Sequence, residues 1–220
     1  IRNPLASIRS SVEQLARGRH AGDDEKVLAG LIVRESDRLS RLLSEFLDFS
    51  RVRATRAEPV DVHEVATAAV GLVEAHPDRK PGARIRVDGE PTIIEGDEDL
   101  LHRTLVNLIL NAVQAAGDGP VDVTVSVRAV RQGDLPAGLR IDRPVRLRVR
   151  DTGPGIPEEI RERMFEPFVS RRPGGTGLGL AIVQRAIAAH RGAVIVDSEP
   201  GAGTTFTIYL PATWVAEDVA

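Results

Sequence analysis

The chain has 220 residues, a formal charge of −3, 42% hydrophobic residues and no cysteine. That length suits one large domain, or a small domain followed by a medium one. The missing cysteine excludes disulfides, cysteine-bound zinc and thiol catalysis and fits a reducing compartment; the small charge argues against bulk nucleic-acid binding; and no apolar run reaches the ~18–20 residues that span a membrane.

The first region repeats with a helical heptad. Ile1, Leu5, Ile8, Val12 and Leu15 recur at alternating spacings of four and three, and after a polar break at Gly18–Asp24 the repeat resumes as Leu28, Ile32, Glu35, Leu39, Leu42, Phe46 and Phe49. Such spacing predicts two helices packed along a narrow seam and joined by a short loop. One hairpin of this length buries little by itself, so a second copy completing a four-helix bundle is the expected partner. A hairpin folded onto its own domain is the alternative. Glu35 is a polar exception on the seam. The chain begins at Ile1 and not at a methionine, as expected of a piece of a longer protein.

Val52–Pro59 reads as a basic linker. Beyond it, a helix is expected over Val62–Glu74 and short strands over Ala83–Val87 and Thr92–Glu95. Asp97 is a good N-cap for a helix running to Ala116, with Leu101, Leu105, Leu108, Ala112 and Ala115 as its buried stripe and Gly117 as its stop. Val121–Val130 and Val145–Arg150 read as strands. Leu178–His190 reads as a helix, and Ala193–Val196 and Thr204–Leu210 as the last strands. The expected domains are 1–52, a linker at 53–60, 61–211, and a frayed tail at 212–220. The fold class is α+β: a helical hairpin followed by an α/β sandwich with helices on one face of a mixed sheet.

Three elements of the second region carry chemistry. Asn107 and Asn111 sit one turn apart in the middle of a strong helix, off its leucine stripe, although Asn is a poor helix former. An amide oxygen can ligate Mg²⁺ without over-neutralising it; a solvated polar face is the bland alternative. Asp151-Thr-Gly153-Pro-Gly155-Ile156-Pro157 follows an apolar strand. An aspartate there can accept a hydrogen bond from an exocyclic amine, and the glycines let backbone approach a flat ring; a plain turn is the rival. Gly174-Gly-Thr176-Gly177-Leu178-Gly179-Leu180 opens a helix, where backbone N–H groups bind phosphate. It is neither a P-loop nor a Rossmann fingerprint. Between the last two elements, Phe165–Pro173 carries Arg171 and Arg172 and suits a cationic lid. Gly201-Ala-Gly-Thr-Thr205 forms a tight turn into the last strand.

In this order the elements resemble the catalytic ATP-binding domain of sensor histidine kinases, within the GHKL superfamily shared with gyrase B and MutL. Asn-Leu-Ile-Leu-Asn-Ala is similar to the N box, Asp-Thr-Gly-Pro-Gly-Ile to the first glycine box, Phe165-Glu-Pro-Phe168 to the F box and Gly-Gly-Thr-Gly-Leu-Gly-Leu to the second glycine box. The likeness spans roughly residues 60–211. It implies ATP and Mg²⁺ as cofactors, with Asn111 on the metal and Asp151 on the adenine amine. Gly177, Leu178 and Gly179 would frame the triphosphate. Asn107, Gly153, Gly155, Ile156, Thr176 and Thr205 complete the implied site. Arg172 stands where the family often has a lysine, which keeps the charge but changes its geometry.

Ile1-Arg-Asn3-Pro-Leu5 resembles the second half of the family's H box. The acceptor histidine and its adjacent acid are expected just ahead of Ile1; none of His20, His63, His76, His102 and His190 replaces it by motif. Asn3 matches a position that can orient water during dephosphorylation, or it simply caps a helix ahead of Pro4. The resemblance implies phosphoryl transfer from ATP to that histidine and then to an aspartate of a response-regulator receiver domain. It also implies a homodimer formed through the hairpin and a cytoplasmic location, with no membrane segment here and no nucleic-acid partner. A fragment without the histidine is expected not to phosphorylate itself. Two rivals stay open: a degenerate kinase acting as scaffold or phosphatase, and a gyrase- or MutL-like ATPase. The latter needs a glutamate base on the N-box helix, where this chain has Asn107.

Overall fold

The computed structural model describes residues 8, 10, 12, 23–50, 58–77, 79, 81–170 and 175–213. The chain divides into two compact units: Ile1–Arg51 with Ser170–Thr176, and Val52–Val169 with Gly177–Ala220.

In the first unit, Ile8, Ser10 and Val12 are helical, and a single helix, α1, spans Asp23–Ser50. At ~1.5 Å per residue it is ~42 Å long. Ala29 and Ser36 are buried on it, whereas Val27, Leu28, Leu31, Ile32, Leu39, Phe46 and Leu47 are exposed. Glu35 shares this surface. It is solvent-exposed and accepts a hydrogen bond from Arg38 at 3.4 Å, three residues on. Ile1, Asn3, Leu5, Leu15 and the turn before Asp23 lie outside the described residues.

The second unit is an α/β sandwich. In chain order it comprises β1 (Glu58–Asp61), α2 (Val62–Glu74), β2 (Ala83–Gly89), β3 (Ile93–Gly96), α3 (Glu98–Ala115) and β4 (Val121–Ala129). These are followed by a 3-10 turn (Gln132–Asp134), β5 (Pro144–Asp151), α4 (Glu158–Arg161), α5 (Gly179–Ala189), β6 (Ala193–Glu199) and β7 (Gly203–Pro211). The five-stranded sheet has the order β2-β4-β5-β7-β6. Only β2 and β4 run parallel; the other neighbours are antiparallel.

Period-two alternation sends Val121, Val123, Val125 and Val127 of β4, and Val145, Leu147 and Val149 of β5, to one face. There they meet Val65 and Val73 of α2, Leu101, Leu105 and Leu108 of α3, and Val183 and Ile187 of α5 in one core. Each such side chain contributes about 1.5–3 kcal/mol on burial. Asp61 caps α2 by accepting from the His63 N–H, and Asp97 caps α3 by accepting from the Leu100 N–H. Gly117 takes a φ of +60° just beyond α3.

One expectation needs correction. The stretch read as linker contains a strand, because Glu58–Asp61 pairs antiparallel with Ile93–Gly96. Four residues with a proline give no strand signal of their own; the pairing comes from a segment some thirty residues downstream. The remaining core elements fall where the pattern placed them, within three residues at their ends, although Ala115, expected in the buried stripe of α3, is exposed.

Candidate nucleotide site

The two long helices of the site, α3 and α5, pack against each other. A β-carbon placed on Gly179 would stand 3.1 Å from Asn107 Oδ1 and 3.8 Å from Asn111 Nδ2. The two amides therefore sit at the first turn of α5, whose N-cap, Leu178, makes no side-chain capping bond. Backbone N–H groups at such a helix start, with the positive end of its dipole, favour an anion. Leu178 itself is fully buried and anchors the turn. Just ahead, Gly177 has a φ of +70°, and a β-carbon there would lie 2.5 Å from the Phe168 carbonyl carbon. Phe168 donates its N–H to the Gly177 carbonyl at 3.0 Å. Phe168 itself holds a φ of +68° and is 61% exposed, while Phe165 packs on the core.

The second half of the site grows from the end of β5. Asp151 is buried, and its Oδ1 accepts from the Gly153 N–H at 2.8 Å and from the Thr204 N–H at 3.2 Å. Both bonds converge on one oxygen, which leaves Oδ2 to accept from a ligand. Burial raises the carboxyl above its usual pKa; the bonds from Gly153 and Thr204 oppose that rise. Gly155 has a φ of +75° and passes so close to β6 that a β-carbon would lie 2.2 Å from the Glu199 carbonyl oxygen. The Ile156 N–H donates to Ser198 Oγ at 2.8 Å, and the Gly201 N–H donates to the Pro154 carbonyl at 2.7 Å. The glycine turn after β5 is thus tied to the turn between β6 and β7.

The structure brings Asn107, Asn111, Leu178 and Gly179 together at α5, and Asp151, Gly153, Gly155 and Ile156 together at the end of β5. Thr205 does not join them. It alternates to the other face of β7, opposite Arg150 and Asp197, and Thr204 is the residue on Asp151. Ser198 was missed as well; its hydroxyl lies 3.0 Å from that of Thr204. The Thr204 signal was available, since Phe206 and Ile208 mark the inward face of β7 and parity then puts Thr204, not Thr205, inside. Thr176 belongs to the segment grouped with the helical unit, where its hydroxyl donates to Glu45 of α1. Asn3 and Arg172 lie outside the described residues.

Comparison with known proteins gives the chain a family. Residues 96–213 match the model described as "Histidine kinase-, DNA gyrase B-, and HSP90-like ATPase", and residues 1–55 match the "His Kinase A (phospho-acceptor) domain". The sensor histidine kinase ZraS of Klebsiella oxytoca is 36% identical over 220 residues, covering 99% of this chain and 45% of that protein. The sensory histidine kinase/phosphatase NtrB of Rhodobacter capsulatus is 37% identical over 221 residues, covering 96% of this chain and 59% of that protein. The chain thus spans about half the length of these relatives. Among solved structures, full-length ShkA in complex with AMPPNP superposes with a TM-score of 0.72 at 29% identity, covering 99% of this chain and 45% of that one. The mycobacterial sensor histidine kinase MprB gives a TM-score of 0.59 at 30% identity, covering 72% of this chain and 99% of that one. The chain belongs to the histidine kinase-, gyrase B- and HSP90-like ATPases, an ATP-binding family, and carries the paired phospho-acceptor and ATPase domains of the sensor histidine kinases.

Proposed function

We propose that this chain is the catalytic core of a two-component sensor kinase, which delivers the γ-phosphoryl group of ATP to a histidine and from there to a receiver-domain aspartate. The observation that carries the reading is the amide pair of Asn107 and Asn111 beside Gly179 at the start of α5. It sets neutral oxygen ligands beside a phosphate-binding helix end. Asp151 Oδ2 accepts from the adenine amine, while Oδ1 holds the glycine turn in place. Gly153, Gly155 and Ile156 give the ring a flat backbone wall, and the cationic charge of Arg172 suits the phosphates. In-line transfer then needs positioning and charge neutralisation more than covalent help from the protein.

The residues also fit Mg²⁺. Among the described residues there is no cluster of three acidic or histidine ligands, so no side-chain cage would hold the ion without nucleotide. An asparagine amide leaves most of the coordination to phosphate and water, as Mg²⁺ prefers. Asn111 would hold it, with Asn107 beside it. When bound, the ion supplies neutralisation of phosphate charge.

The exposed apolar stripe of α1 supports a homodimer through the helical hairpin, and the same helices would receive the response regulator. No helix among the described residues is long and apolar enough to cross a membrane; a cytoplasmic location for this core is part of the proposal. Fluorescent ATP-analogue binding, measured with Mg²⁺ and with chelator, tests the site. Mg²⁺ should tighten binding to the wild type and leave Asn111→Ala nearly unaffected; equal responses would remove Asn111 from the site. The chain should not turn ATP over steadily, because Asn107 stands where a hydrolytic glutamate would be needed. Sustained hydrolysis would favour a gyrase-like ATPase instead.

A further inference from the structure

His190 ends α5 and is 1% exposed. The backbone N–H of Asp97 donates to its Nε2 at 2.9 Å. Nε2 is therefore unprotonated, and Nδ1 carries the proton and donates to the Ala186 carbonyl at 2.7 Å. The ring also fills the space beside Gly96, where a β-carbon would come within 3.2 Å of Cδ2 and Nε2. A neutral imidazole, committed at both nitrogens, thus joins the last turn of α5 to the residue that caps the first turn of α3.

The first turn of α5 meets the second half of α3 at the nucleotide site. Gly179 starts α5 and lies beside Asn107 and Asn111 of α3, so the helices run antiparallel with His190 bonding at the far end. From Gly179 to His190 is eleven residues, ~16 Å of helix; from Asp97 to Asn107 is ten residues, ~15 Å, and to Asn111 ~21 Å. A bond that fixes one end of a stiff helix pair fixes the other end's axial register. We infer that His190 is a positioning residue for the nucleotide site: its bond to the Asp97 N–H sets how far the N–H groups opening α5 stand from the amides of Asn107 and Asn111.

Burial holds the ring's pKa below the ordinary histidine value, against the Ala186 bond and the field of the Asp97 carboxylate, which both favour protonation. Among the described residues, the Asp97 carboxylate on the N-cap of α3 is the charged group whose field acts on the ring. Protonating Nε2 would turn the acceptor into a donor aimed at an N–H, and the link would be lost.

Two amide variants separate this role from packing. In His190→Gln the side-chain oxygen reaches the position of Nε2 and can accept from Asp97. In His190→Asn the amide can still serve Ala186 but falls short of Asp97. The inference rests on the proposed nucleotide site through its affinity readout: for a fluorescent ATP analogue, His190→Asn should bind roughly tenfold more weakly and His190→Gln within about threefold of wild type. Equal affinity in the two variants, measured well below their melting temperatures, overturns it when the side-chain amides of Asn107 and Asn111 are also alike in the two. The side-chain amide resonances of Asn107 and Asn111 in nucleotide-free protein give a second readout. They should move in His190→Asn and stay near wild type in His190→Gln, and in the wild type they should shift together as His190 is titrated with acid. Unmoved resonances in His190→Asn overturn the positioning role. Moved resonances with unchanged affinity sustain it and instead refute the assignment of the two asparagines to the nucleotide. Should His190→Asn fail to fold, the acid titration of the wild type decides: Asn107 and Asn111 resonances that ignore the ring's titration, or a fold that melts before the ring titrates without any prior shift, overturn the inference.

Discussion

Helices α1 and α3 carry the same kind of apolar stripe and use it in opposite ways. On α3, Leu101, Leu105, Leu108 and Ile109 are buried, all at 1% exposure or less, against the sheet and the helices beside it. On α1, Leu28, Ile32, Leu39 and Phe46 remain 44–57% exposed. A stripe satisfied inside its own unit frees the helix's other side for chemistry, and that is where Asn107 and Asn111 stand. A stripe left exposed is an invitation to another surface. The α/β unit should therefore be stable and bind nucleotide by itself, whereas α1 should depend on association.

The largest effect expected from this contrast is on stability. Leu108→Ala should destabilise the α/β unit by about 2–5 kcal/mol through a cavity that the close-packed core cannot close. Leu39→Ala on α1 should cost the dilute protein only about 0.5 kcal/mol or less. Denaturant unfolding of both variants at one low concentration decides; equal losses would mean that α1 is packed as α3 is, and the contrast would collapse.

Next in size is a change confined to the site. Asp151→Asn preserves an oxygen for the Gly153 and Thr204 N–H groups but replaces Oδ2 with a donor facing the adenine amine. Nucleotide affinity should fall by roughly a hundredfold, equivalent to about 2.7 kcal/mol, with the melting temperature little altered. An equilibrium titration beside a thermal melt reads both. A collapse in melting temperature would show instead that Asp151 is chiefly structural.

The association side of the contrast is smaller per residue. Ile32→Ala and Leu39→Ala should each weaken self-association by about threefold to tenfold, through the apolar area lost from the interface. Sedimentation equilibrium of the two variants tests this, with nucleotide affinity as the control that should not move. Unchanged self-association would place the dimer surface elsewhere on the chain.

How much of this was legible beforehand follows the same division. The sandwich could be read because burial imposes period two on β4, β5 and β7 and a leucine stripe on α3, and because Asp97 and Gly117 mark helix ends by local chemistry. Strand β1 could not be read, since four residues containing Pro59 have no pattern without β3 beside them. Asn107, Asn111, Asp151 and Gly179 stood out because each departs from local propensity, as an amide in mid-helix, an acid at the end of an apolar strand or a glycine run at a helix start. Ser198 and His190 did not depart from anything local. Their roles come from atoms 42 and 93 residues away in sequence, at Ile156 and Asp97.

The smallest effect is electrostatic and belongs to the α/β unit. Burial raises the Asp151 pKa above 3.8, with the Gly153 and Thr204 bonds opposing. A folded-state value above the unfolded one means that the folded protein binds the proton more tightly. The resulting stability is fully present below the unfolded pKa and is lost as pH rises through the folded one. Nucleotide affinity must run the other way, because only the carboxylate accepts fully from an amine. As pH falls, affinity should begin to drop above the ordinary aspartate range while this residue's contribution to stability grows. Carbon NMR of the Asp151 carboxyl gives the midpoint, and analogue binding across the same pH range should share it. Binding that stays flat through that midpoint would break the link between Oδ2 and the adenine amine, leaving the amide pair on α3 to carry nucleotide recognition.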